Sequence, residues 1–186
     1  MSNDVAWEEV IEKVANSEVS SGGNNLRDGS GRLALRKFEV TKGFNGLRAV
    51  FEFIVVSSKK KEGLVSLKTG QKLDIEPNLT GSDVSIINML SKHESAWGNV
   101  KAVILGLFNE PDASKDDIKA AMRGMRDGVD GIGRVVDYDT YRKVTQEKGV
   151  EITLPKWYGV DQSDEDIARM REWIATVTGM RNPTAA

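Results

Sequence analysis

The run GRLALRKFEVTKGFNGLRAVFEFIVV, from Gly31 to Val56, reads as two strands joined by a turn. In its second half Leu47, Ala49, Phe51, Phe53 and Val55 share one face while Arg48 and Glu52 take the other, the two-residue period of a strand with a buried side. Arg32 to Val40 forms the strand run before it. Between the two, Lys42-Gly43-Phe44-Asn45-Gly46 has turn chemistry, because Gly and Asn tolerate a positive φ. The stretch predicts a β-hairpin with a long tip that is both basic and aromatic.

Working outward, Ser57 to Gly63 makes a second connection, and a third strand region is expected from Leu64 to about Ile75. A helical block should follow. Ser82-Asp83 can cap a helix carrying Val84, Ile86, Ile87, Met89 and Leu90 towards His93, and Gly98 to Phe108 is apolar enough to be buried. Ser114-Lys115-Asp116-Asp117 opens another helix with a cap and a favourable negative charge, turning Ile118, Ala121, Met122 and Met125 inward. Two strands then return, Arg134 to Val144 and Val150 to Tyr158, joined by Thr145 to Gly149. Amphipathic helices are predicted at both ends. One spans Asp4 to Ala15 around Trp7, Val10, Ile11 and Val14; the other spans Asp164 to Val177 around Ile167, Met170, Trp173, Ile174 and Val177. Asn16 to Gly31, rich in Ser, Gly and Asn, reads as a flexible linker.

Three strands, a helical block and two strands predict a mainly β, α+β fold: a five-stranded OB-type barrel with an enlarged helical insert between strands three and four. The expected division is an N-terminal helix and linker over 1–30, a barrel domain over 31–160, and a C-terminal helix and tail over 161–186.

Composition narrows the chemistry. The 186 residues include 26 Lys and Arg against 28 Asp and Glu, one His and no Cys, for a formal net charge of −2. Without cysteine there is no disulfide, thiolate metal site or cysteine nucleophile. His93 is an isolated imidazole with no second ligand at metal spacing, and Asp137 and Asp139 alternate on one strand face without further ligands, so neither a cofactor nor a metal is expected. No nucleophile–base pair is evident, and the expectation is a non-enzyme. No run approaches the roughly 20 apolar residues of a membrane helix, and the acidic start is unlike a signal peptide, so a cytoplasmic protein is expected.

The charge is unevenly spread. Between Arg32 and Lys72 stand ten basic residues against Glu39, Glu52 and Glu62, whereas the N-terminus, Asp112 to Asp130 and Asp161 to Asp166 lean acidic. Such polarity predicts one basic face directed at a polyanion. In an OB barrel the groove lies on strands two and three, between the loops joining strands one to two and four to five. Here that assigns Arg36, Lys37, Phe38, Lys42, Phe44 and Arg48 to one side, and Tyr138, Tyr141, Arg142, Lys143, Lys148, Trp157 and Tyr158 to the other. Cations for phosphates beside flat rings for unstacked bases are the pairing used by single-strand binders. Lys59, Lys60 and Lys61 serve equally as a phosphate-steering loop or as a guard against strand pairing between molecules.

The basic strand pair, then GNVKAVILGLF (98–108) leading to Glu110-Pro111-Asp112, then Gly133-Arg134-Val135-Val136 and the closing EKGVEITLPKW (147–157), resembles tailed-bacteriophage OB-fold single-stranded DNA-binding proteins over roughly Gly31 to Tyr158. That resemblance implies a replication or recombination accessory protein that coats phage DNA in the host cytoplasm, with replication or recombination proteins as partners. The acidic tail of many single-strand binders is missing, since Arg181 to Ala186 carries no acid. A second reading is a protein-interaction module, such as a phage assembly or anti-defence factor, in which Trp7 and Trp173 on the terminal helices dock other subunits and form a homo-oligomer.

Overall fold

The computed structural model describes residues 5–18, 26–44, 46–146 and 148–181. Strands β1 (Ser30–Gly43) and β2 (Gly46–Lys59) form the long hairpin, paired antiparallel from Gly43↔Gly46 at the tip to Ser30↔Lys59 at the base. The pairing slips between Arg32 and Leu33 and again between Leu35 and Lys37. The second slip leaves Arg36 as an extra residue, which is why buried positions on β1 change parity from Leu33 and Leu35 to Phe38 and Val40. On β2 the expected face, Ala49, Phe51, Phe53 and Val55, enters the main core.

Strand β3 (Asp83–Asn88) pairs with β2, β4 (Val135–Val144) pairs with β1, and β5 (Glu151–Tyr158) pairs with β4, all antiparallel, in the order β3-β2-β1-β4-β5. The fold is therefore mixed α+β with a five-stranded antiparallel sheet. The sheet is not closed into a barrel. Helix α2 (Ser95–Phe108) packs against both edge strands, β3 and β5, and against β4, so its side chains and not a strand ladder occupy the space between the edges. This nearly all-apolar helix buries Val100, Val103, Ile104 and Leu107, and ends on Asn109 in the left-handed conformation.

Two expectations about the third strand are corrected. Residues 64–75 form no strand; they make an exposed excursion with a single bridge, Val65↔Lys72. The strand lies instead at Asp83–Asn88, where a capped helix was expected. Ser82 spends its hydroxyl on the carbonyl of Leu79 within a turn, at 2.6 Å, and does not cap a helix. Val84 and Ile86 then alternate inward beside the open edge of β2, a setting that favours β-branched residues as strand.

Helix α3 (Lys115–Arg126) starts on the expected box: the Asp117 amide donates to the Ser114 hydroxyl at 3.2 Å, and the Ser114 amide donates to the Asp117 carboxylate at 3.0 Å. Helix α1 (Trp7–Asn16) buries Val10, Ile11, Val14 and Ala15 against α2 and α3 of its own chain. Glu8 pairs with Arg123 and Arg126, Glu12 with Lys119, and the Lys101 ammonium holds the carbonyls of Ala15 and Ser17. Helix α4 (Asp164–Arg181) covers the opposite face of the sheet, where Ile174, Met170, Trp173 and Val177 pack on Ala34, Ile54 and Val135. The apolar faces expected to bind other subunits are thus occupied within the chain. The linker reading is also corrected in part. Leu26 and Asp28 are buried and β1 begins at Ser30, while residues 19–25 lie outside the described residues. No described helix is long and apolar enough to cross a membrane.

Candidate nucleic-acid interface

Five of the expected groove residues are committed to other work. The Phe38 ring packs at a tilt on Phe51, centroids 4.6 Å apart, and meets Trp7 edge-on at 6.0 Å, placing it in the core. Tyr138 is 2% exposed, and its hydroxyl reaches Ser58 at 3.2 Å and the Asn78 amide at 3.5 Å. Neither ring is free to stack on a base, because strand alternation turns both to the closed face. Arg142 donates to Glu151 at 2.6 Å and to Asp28 at 2.8 Å, and Thr153 completes the shell of Asp28. Arg36, thrown out by the bulge, bridges Glu52 and Asp83 at 2.7 and 3.1 Å. Lys61 is spent on Asp139 and the Thr140 carbonyl.

Two more lysines are neutralised nearer the surface. Lys60 sits between Asp74 and Glu76, which raise the pKa of its ammonium, and Lys37 pairs with Glu39, with the same consequence. The Asp137–Asp139 pair is likewise taken up, Asp137 by Arg32 at 2.6 Å and Asp139 by Lys61 at 2.9 Å. Half of the basic run read from Arg32 to Lys72, namely Arg32, Arg36, Lys37, Lys60 and Lys61, is therefore compensated by acids.

The cations left lie towards the hairpin tip and the β4–β5 turn, apart from Lys59 at the base of the hairpin. Lys42, Arg48, Lys59, Lys143 and Lys148 are exposed and have no carboxylate partner among the described residues, as does Lys92, which sequence reasoning missed. Phe44 projects fully into solvent at the hairpin tip. The tip is fastened to the turn after β3: the Leu47 amide donates to the Ser91 hydroxyl at 2.7 Å, and the Ser91 amide donates to the Leu47 carbonyl at 3.3 Å. Gly46 is needed at this junction. Its φ is +95°, and a Cβ there would stand 2.8 Å from the Ser91 side chain. That same turn supplies Met89 and His93 to a cleft of about 720 Å³ whose other wall is the β4–β5 hairpin, with Lys143, Lys148, Ile152 and Leu154. The 89–95 turn thereby touches both the β1–β2 hairpin, through Ser91 and Leu47, and the cleft lined by the β4–β5 hairpin, at the open end between β3 and β5.

A second cleft, of about 700 Å³, lies further along β5 against the C-terminal half of α2. It collects Tyr141, Trp157 and Tyr158 with Pro111 and Pro155, and the Lys156 ammonium stands 5.4 Å from the Tyr141 ring centroid. Trp157 stacks on Phe53 at 6.2 Å and is half-buried where it lines the cleft. Gly106 permits this approach, since a Cβ there would lie 2.8 Å from the Val136 methyl and 3.2 Å from the Trp157 Cβ. No family model, curated protein or solved structure matches the chain.

Proposed function

We propose that the protein binds single-stranded DNA, with the phosphate backbone passing over Lys42, Arg48, Lys92, Lys143 and Lys148 and one unstacked base resting on Phe44. The carrying observation is that the uncompensated Lys143 and Lys148 line one cleft with the 89–95 turn, and that this turn is hydrogen-bonded to the hairpin end that carries Lys42, Arg48 and the fully exposed Phe44. An apolar ring of that size left in water contributes nothing to folding, whereas a base stacked on such a ring gains roughly 1–3 kcal/mol. The strand order supports the same reading. Neighbours 3-2-1-4-5 are those met in turn around an OB barrel opened between its third and fifth strands, and the hairpin tips that meet here are the loops which flank the groove in that fold. A role in phage DNA replication or recombination follows from the sequence resemblance and belongs to the same proposal. Fluorescence anisotropy of labelled single-stranded and duplex oligonucleotides across a salt series tests it. Single strands should bind more tightly and weaken steadily as salt rises. Folded protein that binds no oligonucleotide at low salt would overturn it.

A partner-protein reading draws on a different region, the excursion over residues 64–79, where Val65, Leu67 and Leu79 are exposed. It gains ground if oligonucleotides fail to bind.

A further inference from the structure

The cleft between the β3 turn and the β4–β5 hairpin has an unusual floor. Asn88, the last residue of β3, lines it, is 2% exposed, and carries an amide whose Oδ1 and Nδ2 both lack a hydrogen-bond partner among the described residues. A buried amide with neither end satisfied is costly, and native structures tolerate few of them. Packing gives no reason for it, since a leucine of similar volume would fill the position without that cost. The walls are apolar or flat where Met89, Ile152 and Leu154 contribute, and Lys143, Lys148 and His93 stand around the opening. The cleft thus combines apolar walls with polar side chains, Ser95, Asn99, Thr145 and Gln146 among them, and has a donor–acceptor pair at its base and two lysines in its lining.

We infer that the cleft takes one extruded nucleobase, an adenine, with the Asn88 amide reading its edge. This rests on the single-strand reading and adds a base-specific position to an otherwise sequence-tolerant groove. The side-chain Nδ2–H would donate to adenine N7 while Oδ1 accepts from the N6 amino group, the bidentate match of an asparagine to adenine. Lys143 and Lys148 would meet the flanking phosphates. Access asks for a small rearrangement at the floor, for which the neighbouring Met89, unbranched and with three rotatable bonds, is well suited.

The test uses the full chain and two labelled probes of about ten nucleotides, a length typical of a single OB-type site: all-thymidine, and the same with adenines. The unaltered protein should favour the adenine probe by roughly 5- to 150-fold, the range of one bidentate base contact. Asn88→Leu should bring the adenine probe down to the affinity of the thymidine probe, leave the thymidine probe unchanged, and melt no lower than the unaltered protein, because an orphaned buried amide has been replaced by an apolar group of similar size. Asn88→Asp, which lacks the donor, should also lose the preference and guards against misfolding of the leucine variant. Equal binding of both probes by the unaltered protein, or a preference that survives both substitutions, overturns the base-reading role while leaving single-strand binding intact. Failure of both probes to bind overturns the two proposals together.

Discussion

Replacing Arg142 by methionine keeps an apolar stem and removes the guanidinium, which separates a structural arginine from a DNA-binding one. The Arg142 side chain is 16% exposed, and its two partners are more deeply buried, Asp28 at 4% and Glu151 at 10%. After the substitution Asp28 keeps only the Thr153 hydroxyl among these side-chain contacts, and Glu151 keeps the Ser66 hydroxyl and the Leu67 amide. Stranding the partner of a buried ion pair costs about 3–5 kcal/mol. For a chain of this size, with roughly 2–4 °C of melting temperature per kcal/mol, the loss is on the order of 6–20 °C. Thermal denaturation followed by circular dichroism measures it, and oligonucleotide affinity well below the melting point should stay within about twofold of the unaltered protein, since no screened phosphate contact is removed. A variant that melts normally and loses DNA binding would return Arg142 to the interface.

Other expectations follow from the same contacts. Phe44→Ala should leave the melting temperature unchanged, because the ring touches little, and should weaken binding to a single strand by about 1–3 kcal/mol in anisotropy titrations. The hydrogen bonds from the Leu67 amide, the Ser66 hydroxyl and Arg142 hold the Glu151 carboxyl down at about 2, from the usual 4.5. Its stabilisation is complete above the unfolded pKa and disappears as pH falls through the folded one, so the difference in melting temperature between Glu151→Gln and the unaltered protein should narrow as pH drops from about 4.5 towards 2. Gly106→Val should cost about 2–3 kcal/mol in urea denaturation, because the new side chain collides with Val136 and Trp157 where α2 meets the sheet.

The hairpin at 31–56 was readable because alternation over ten residues on β2 leaves one solution, and the capping box at Ser114 was readable because its signal is wholly local. The segment from Val84 to Leu90 was not. Its apolar residues satisfy both a helical and a strand spacing, and only the vacant edge of β2 decides between them. Closure of the sheet was illegible for a similar reason: α2 is recognisable as buried, but its position against both β3 and β5 is tertiary. For the site, Phe44, Lys42 and Lys143 could be found from turn glycines and exposed charge. Arg142 and Tyr138 misled because their partners, Asp28 and Asn78, lie 114 and 60 residues away. Asn88 gave no sequence signal, since an asparagine ending a strand ordinarily faces water. Lys92 and His93 could have been found by asking which turn abuts the β1–β2 tip.

The cations at the open end of the sheet, and not the paired Lys60 and Lys61, contact the phosphates. Measuring log affinity against log salt for a single-stranded oligonucleotide, with Lys143→Gln/Lys148→Gln and Lys60→Gln/Lys61→Gln compared with the unaltered protein, tests it most directly. The first pair should weaken binding and make the slope shallower by about 1.4, the value for two lost phosphate contacts on a single strand, while the second pair should leave the slope unchanged because those lysines are already neutralised by Asp74, Glu76 and Asp139. A slope lowered by the Lys60/Lys61 pair and unmoved by the Lys143/Lys148 pair would contradict it.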